Sequence, residues 1–130
     1  MTEICVSVKA KVHPTESSEK VEVAVRNVLG DIPLNSSGEG SLATIEGRVE
    51  GLASLGPLRG LIMRTMIRDA ARAFFTRSVQ GDTLSFGLNK QAAYVGRVSF
   101  HRSGESQLGP IQIIIKGDTS AAIGYLCGIG

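Results

Sequence analysis

Residues that build metal centres and disulfide frameworks are scarce in this chain: among 130 residues there are two cysteines and two histidines. A tetrahedral zinc site needs four ligands, and Cys5, Cys127, His13 and His101 sit at no short paired spacing, so no metal is expected. Cys5 and Cys127 lie far apart among apolar neighbours, a setting that suits buried thiols better than a disulfide. No apolar stretch approaches the roughly 20 residues of a membrane span, and the opening Met-Thr-Glu-Ile carries an acid where a secretory signal carries positive charge. A soluble, cytoplasmic protein is expected. Net charge is small as well, +2 from 14 Lys and Arg against 12 Asp and Glu. That argues against a histone-like or tail-driven nucleic-acid binder and leaves only local clustering to carry meaning.

Catalytic groupings are equally sparse. Neither cysteine has a nucleophile's surroundings, and His13 beside Pro14 reads as a loop residue rather than a base. No paired carboxylate site emerges. Gly38-Glu39-Gly40 and the stretch from Gly47 to Gly51 contain neither the Gly-Lys-Ser/Thr ending of a phosphate loop nor a GxGxxG run after a strand. The expectation is a protein that is not an enzyme and needs no cofactor.

What is present is one domain, residues 1–130, at 42% hydrophobic and close to the roughly 150 residues of a typical domain. Ile4, Val6, Val8, Ala10 and Val12 alternate with polar or small residues, the period of a strand with one buried face. After His13-Pro14, Thr15 or Ser17 can cap a helix whose apolar positions are Val21, Ala24, Val25 and Val28, ending at Gly30. Residues 31–40 read as a loop, and 42–49 as a second strand or an extended connection. From Leu52 to Val79 the pattern predicts a short turn at Gly56-Pro57 and then one long helix, with Leu55, Leu58, Ile62, Met66, Ala70, Ala73 and Phe74 on one side. Strands are predicted at 83–88, 94–100 and 111–115, joined as a meander. The tail, 117–130, is apolar but rich in glycine, and either docks on the body or frays. The sum is an α+β two-layer sandwich, an antiparallel sheet with two main helices packed on one face.

Charge is unevenly placed: residues 1–50 carry five basic and eight acidic groups, residues 51–130 nine basic and four acidic. Arg64, Arg68 and Arg72, spaced i, i+4, i+8 on the predicted long helix, form a stripe opposite its apolar side. Forked guanidinium groups in a row suit phosphate oxygens, although Asp69 stands close enough to neutralise part of their field, and an arginine row also serves as an ordinary solvated face. Asn89-Lys90-Gln91, at a strand-to-strand connection, reads either as a contact loop, with Lys90 for charge and Asn89 and Gln91 for polar contacts, or as a turn made for folding alone. Arg97 and Arg102 could extend a basic surface, whereas Tyr94 and Phe100 are expected in the core.

The segments Arg68-Asp69-Ala70-Ala71-Arg72, Leu88-Asn89-Lys90-Gln91-Ala92-Ala93-Tyr94-Val95-Gly96-Arg97-Val98-Ser99-Phe100 and Gly104 to Ile111, with His13-Pro14-Thr15-Glu16 after the first strand, resemble a small archaeal family grouped with predicted RNA-binding proteins. Gly56-Pro57 and Gln107 depart from its usual pattern. The resemblance implies a fold similar to that of the large-subunit ribosomal protein that binds 5S ribosomal RNA. Together these readings lead to a non-catalytic RNA-binding protein using Arg64, Arg68, Arg72, Asn89, Lys90, Gln91 and Arg97, its partner a structured or ribosomal-type RNA and not a membrane. The competing reading is a protein-interaction or scaffold module, assembling as a homodimer, with no nucleic-acid role. A third, an enzyme acting on a phosphorylated small molecule at the same arginines, lacks a visible general base.

Overall fold

The computed structural model describes residues 4–38, 43–65, 67–100 and 109–128. Strand β1, Ile4–Val12, buries every second residue as its alternation predicts. Helix α1, Ser18–Leu29, is capped by Ser17, whose hydroxyl accepts from the Lys20 amide. It stops at Gly30, where φ is +79°. The stretch read as a loop contains a short strand, β2 (Leu34–Ser37), paired with β3 (Ala43–Glu50). The two run close because Gly47 has no side chain: a Cβ there would lie 2.7 Å from Leu34 Cδ2.

The predicted long helix is broken. A 3-10 turn, Leu52–Leu55, leads into α2 (Gly56–Thr65), and α3 (Arg68–Ser78) starts afresh after Ile67. Leu58, Leu61 and Ile62 are buried on α2, Ala71 and Phe75 on α3. At about 100° per residue, an unbroken helix would hold these two groups roughly 110° apart around its axis, so only one of them could face the sheet. The break lets both do so. Near it, the Thr65 hydroxyl donates back to the Leu61 carbonyl, a bond that tends to bend helices. Ala70 and Ala73, expected on the apolar side, are exposed.

Val79–Gln80 forms β4, which turns through Gly81-Asp82 into β5, Thr83–Leu88. The strand expected at 94–100 is absent. Its start is occupied by α4, Lys90–Tyr94, and only Phe100 makes an isolated bridge, to Leu88. Asn89 decides this locally: its side chain accepts from the Ala92 amide, and Lys-Gln-Ala-Ala are good helix formers. Strand β6, Ile111–Gly117, pairs directly with β5 and β1. The small-residue tail docks as α5, Thr119–Leu126, with Ala122, Leu126 and Cys127 buried.

Among the described residues all pairings are antiparallel, and six strands lie in the order β2-β3-β1-β6-β5-β4. The inner face of the central strands, with Val6, Val8, Ile113, Ile115, Leu84 and Phe86, is buried together with the apolar faces of the helices. Among the described residues the outer face is left uncovered and carries Cys5, Ser7, Lys9 and Lys11 of β1 beside Glu46, Arg48, Gln112 and Lys116. Cys5 is therefore part-exposed, not buried as expected, and accepts from Arg48 Nε. The α+β architecture with an antiparallel sheet is as expected, but the helical layer has more pieces than two long helices.

Phe75 is fully buried, with its ring 4.9 Å from that of Phe86 and 5.3 Å from that of Phe100. Phe75→Ala should cost about 3–5 kcal/mol of unfolding free energy in a urea titration. A loss below about 1 kcal/mol would mean that α3 is not seated on β5 as described.

Candidate nucleic-acid interface

Asn89, Lys90 and Gln91 do not form an exposed contact loop. Asn89 is spent on the cap of α4. Lys90 is 8% exposed, and its ammonium donates to the Lys11 carbonyl at 2.5 Å and to Glu16 Oε1 at 2.9 Å. The same Glu16 oxygen accepts the His13 amide at 3.0 Å. Lys90 thus ties α4 to the end of β1 and to the loop before α1, and is not available to a phosphate. At the other end of α4, Asn27 Nδ2 of α1 donates to the carbonyls of Ala93 and Tyr94 at 2.9 and 3.1 Å. The short helix is held at both ends by side chains.

What α4 presents outward is Gln91, Tyr94 and Val95, on a groove of about 630 Å3 whose opposite wall is Thr15, Ser17 and Lys20. Tyr94 is exposed, contrary to expectation, and Lys20 Nζ lies 6.0 Å from its ring centroid. Phe100 does join the core, stacked on Phe74 at 4.2 Å. Arg97 is exposed just beyond α4, with its amide bonded to the Ala92 carbonyl. Arg102 and His101 lie outside the described residues.

The arginine stripe is divided by the helix break. Arg64 lies in the last turn of α2, whereas Arg68 opens α3 and Arg72 follows one turn later. Arg72 lines a second groove, of about 450 Å3, with Thr76, Thr119, Ser120 and Ile123 between α3 and α5. Arg72 and the Asn89–Gln91 segment therefore line different grooves. Arg77, in the last turn of α3, was not singled out because it falls off the i, i+4 row; it is exposed as well. Among the described residues none of Arg64, Arg68, Arg72 and Arg77 forms a salt bridge, and Asp69 pairs with none of them. Arg59, by contrast, is committed: its Nε donates to the Tyr125 carbonyl at 2.9 Å, and its guanidinium lies 5.2 Å from the Tyr125 ring centroid. Burial pushes the Cys127 thiol up; Arg72 and Arg68 pull it the other way, and Asp69 adds to the rise. No group of three or more His, Cys, Asp or Glu among the described residues could hold a metal ion. No helix among them is long and apolar enough to cross a membrane.

A family model described as RNA binding matches residues 5–117. A UPF0201 protein of Aeropyrum pernix is 42% identical over 113 residues, covering 85% of this chain and 75% of the relative. The chain belongs to the UPF0201 family. A second UPF0201 protein, from Metallosphaera sedula, is 36% identical over 97% of this chain and 87% of its own length. The crystal structure of the UPF0201 protein from Methanococcus jannaschii superposes with a TM-score of 0.82 at 30% identity, covering 97% of this chain and 94% of that one. A DUF54 protein of Methanothermobacter thermautotrophicus, 22% identical with a TM-score of 0.72 over 97% of this chain and 96% of its own, shares the fold. UPF0201 membership agrees with the archaeal resemblance read from the Asn89–Ala93 segment, although in this structure that segment builds the framework more than the surface.

Lys90→Met should destabilise the protein by about 3–5 kcal/mol, because it strands a largely buried carboxylate. Lys90→Met combined with Glu16→Gln should recover much of that loss. Urea unfolding of the two single variants and the double variant measures the coupling, and simple additivity would contradict the pairing.

Proposed function

We propose that this protein is a small, non-catalytic RNA-binding protein that grips the phosphate backbone through the α2–α3 arginines. The observation that carries this reading is four exposed arginines, Arg64, Arg68, Arg72 and Arg77, with no ionic partner among the described residues, in a chain matched by a family model described as RNA binding. A guanidinium without a carboxylate partner keeps its full charge and its forked donors for an incoming phosphate. Between Gly56 and Ser78 five arginines face one acid, so the near-neutral total conceals a basic segment. Gln91 on α4 and Arg97 just beyond it, both exposed, extend the polar contacts. Asn89 and Lys90 support the surface from beneath. A fold like that of the 5S-RNA-binding ribosomal protein, which the sequence resemblance implies, would favour a structured RNA as partner and a cytoplasmic setting. The uncovered outer face of the sheet favours the competing role, a protein contact such as a homodimer. Salt dependence separates the two.

The variant Arg64→Gln/Arg68→Gln/Arg72→Gln should bind structured RNA more weakly at every sequence tested. The slope of log affinity against log salt should flatten by about one per lost phosphate contact. Its melting temperature should stay close to that of the wild type, since exposed substitutions outside ion pairs usually act within about 0.5 kcal/mol. Filter retention at two salt concentrations, beside calorimetry, checks both. Unchanged affinity and slope would make the arginines a solvated face and leave a protein-interaction module as the better account.

A further inference from the structure

Exposed large hydrophobic side chains are few among the described residues, and two of the three line one groove. Tyr94, 42% exposed, and Val95, 67%, belong to α4 and its cap and line the 630 Å3 groove, whereas Val23, 43% exposed on α1, lies outside that lining. The backbone that carries Tyr94 is anchored. Its helix is fixed at the start by Asn89 and Lys90, and the Tyr94 carbonyl itself accepts from Asn27. A tyrosine has only two side-chain torsions, so on an anchored backbone it loses little freedom when a flat partner stacks on it. The same groove is lined by a cation, Lys20, by the hydrogen-bonding groups of Gln91, Thr15 and Ser17, and by the Glu16–Lys90 ion pair, whose charges offset each other. Their chemistry differs from that of the arginine surface, which offers charge without an aromatic.

We propose that the groove between α1 and α4 takes an unpaired nucleobase of RNA, stacked against Tyr94, with Lys20 at its phosphate and Gln91 at its edge. The inference rests on the RNA-binding reading and adds a class of contact to it. A base in a duplex is covered on both faces and cannot offer itself to a ring, whereas a base in a loop or bulge can. Phosphate contacts through α2 and α3 are indifferent to pairing. The two surfaces together select a structured RNA that carries an unpaired nucleotide. Gln91, which can donate and accept, suits any base edge, so base identity is only weakly read.

The test uses the full chain with two probes, a short oligouridylate and a blunt RNA duplex. Two tyrosines and no tryptophan make the intrinsic emission a tyrosine signal. Oligouridylate should quench it in the wild type, and Tyr94→Phe should abolish most of the quenching while leaving affinity nearly unchanged, because a phenyl ring still stacks. Tyr94→Ala should weaken oligouridylate binding roughly 5- to 150-fold, the range of one base–aromatic stack, and leave duplex binding unchanged. The proposal is overturned if Tyr94→Ala binds oligouridylate as the wild type does, if it loses both probes equally, or if it disturbs only self-association. Duplex binding that survives such a result leaves the arginine reading standing. Failure to bind either probe refutes both.

Discussion

The Lys90 ammonium joins three parts of the chain at one point. It meets a backbone carbonyl at the end of β1, 79 residues away in sequence, and a carboxylate in the loop before α1, 74 residues away. A charged group so enclosed is tolerable only when its donors are met, and here a carboxylate and a carbonyl meet them. Because Glu16 also accepts the His13 amide, the same interaction fixes the exit of β1 and the approach to α1. Helix α4, five residues long, is too short to be stable alone and exists where it does because this pair and the Asn27 amide hold it. The exposed position of Tyr94 and Gln91 follows from that anchoring.

A second constraint shapes the other candidate surface. The apolar residues of α2 and α3 lie on faces that one straight helix could not turn toward the sheet together, and the chain resolves the conflict by breaking before Arg68. The break separates Arg64 from Arg68 and Arg72 but leaves all three exposed. It also brings α3 beside α5, where Arg72 lines a groove with Thr119 and Ser120, and where the charges of Arg68 and Arg72 act on the buried Cys127. The tail is thus part of the helical layer and helps place the arginines.

Much of the fold was legible because its signals are local. The alternation from Ile4 to Val12, the Ser17 cap with its glycine stop, and the apolar runs of β5 and β6 each state their structure within a few residues. The misreadings arose where tertiary contacts decide. Tyr94 to Phe100 alternates like a strand, yet an asparagine cap and a distant carboxylate claim its start for a helix, and only Phe100 pairs with β5. The apolar residues from Leu55 to Phe74 can be drawn as one stripe only if the helix is assumed straight. At the site, Arg64, Arg68 and Arg72 were visible from spacing and remain exposed, whereas the enclosure of Lys90 had no local sign. Lys20 and Tyr94 were missed as a pair because 74 residues separate them in sequence.

The account assigns the two layers different work: the sheet carries the core on one face, and the helices carry both candidate RNA contacts, arginines on α2 and α3 and an aromatic on α4. Ultraviolet cross-linking of a bound structured RNA, followed by peptide mapping, tests that assignment most directly. The account predicts adducts within residues 64–78 and at Tyr94, with the outer sheet face around Lys9, Arg48 and Lys116 unmodified. Adducts concentrated on that outer face, with the helices untouched, would contradict it.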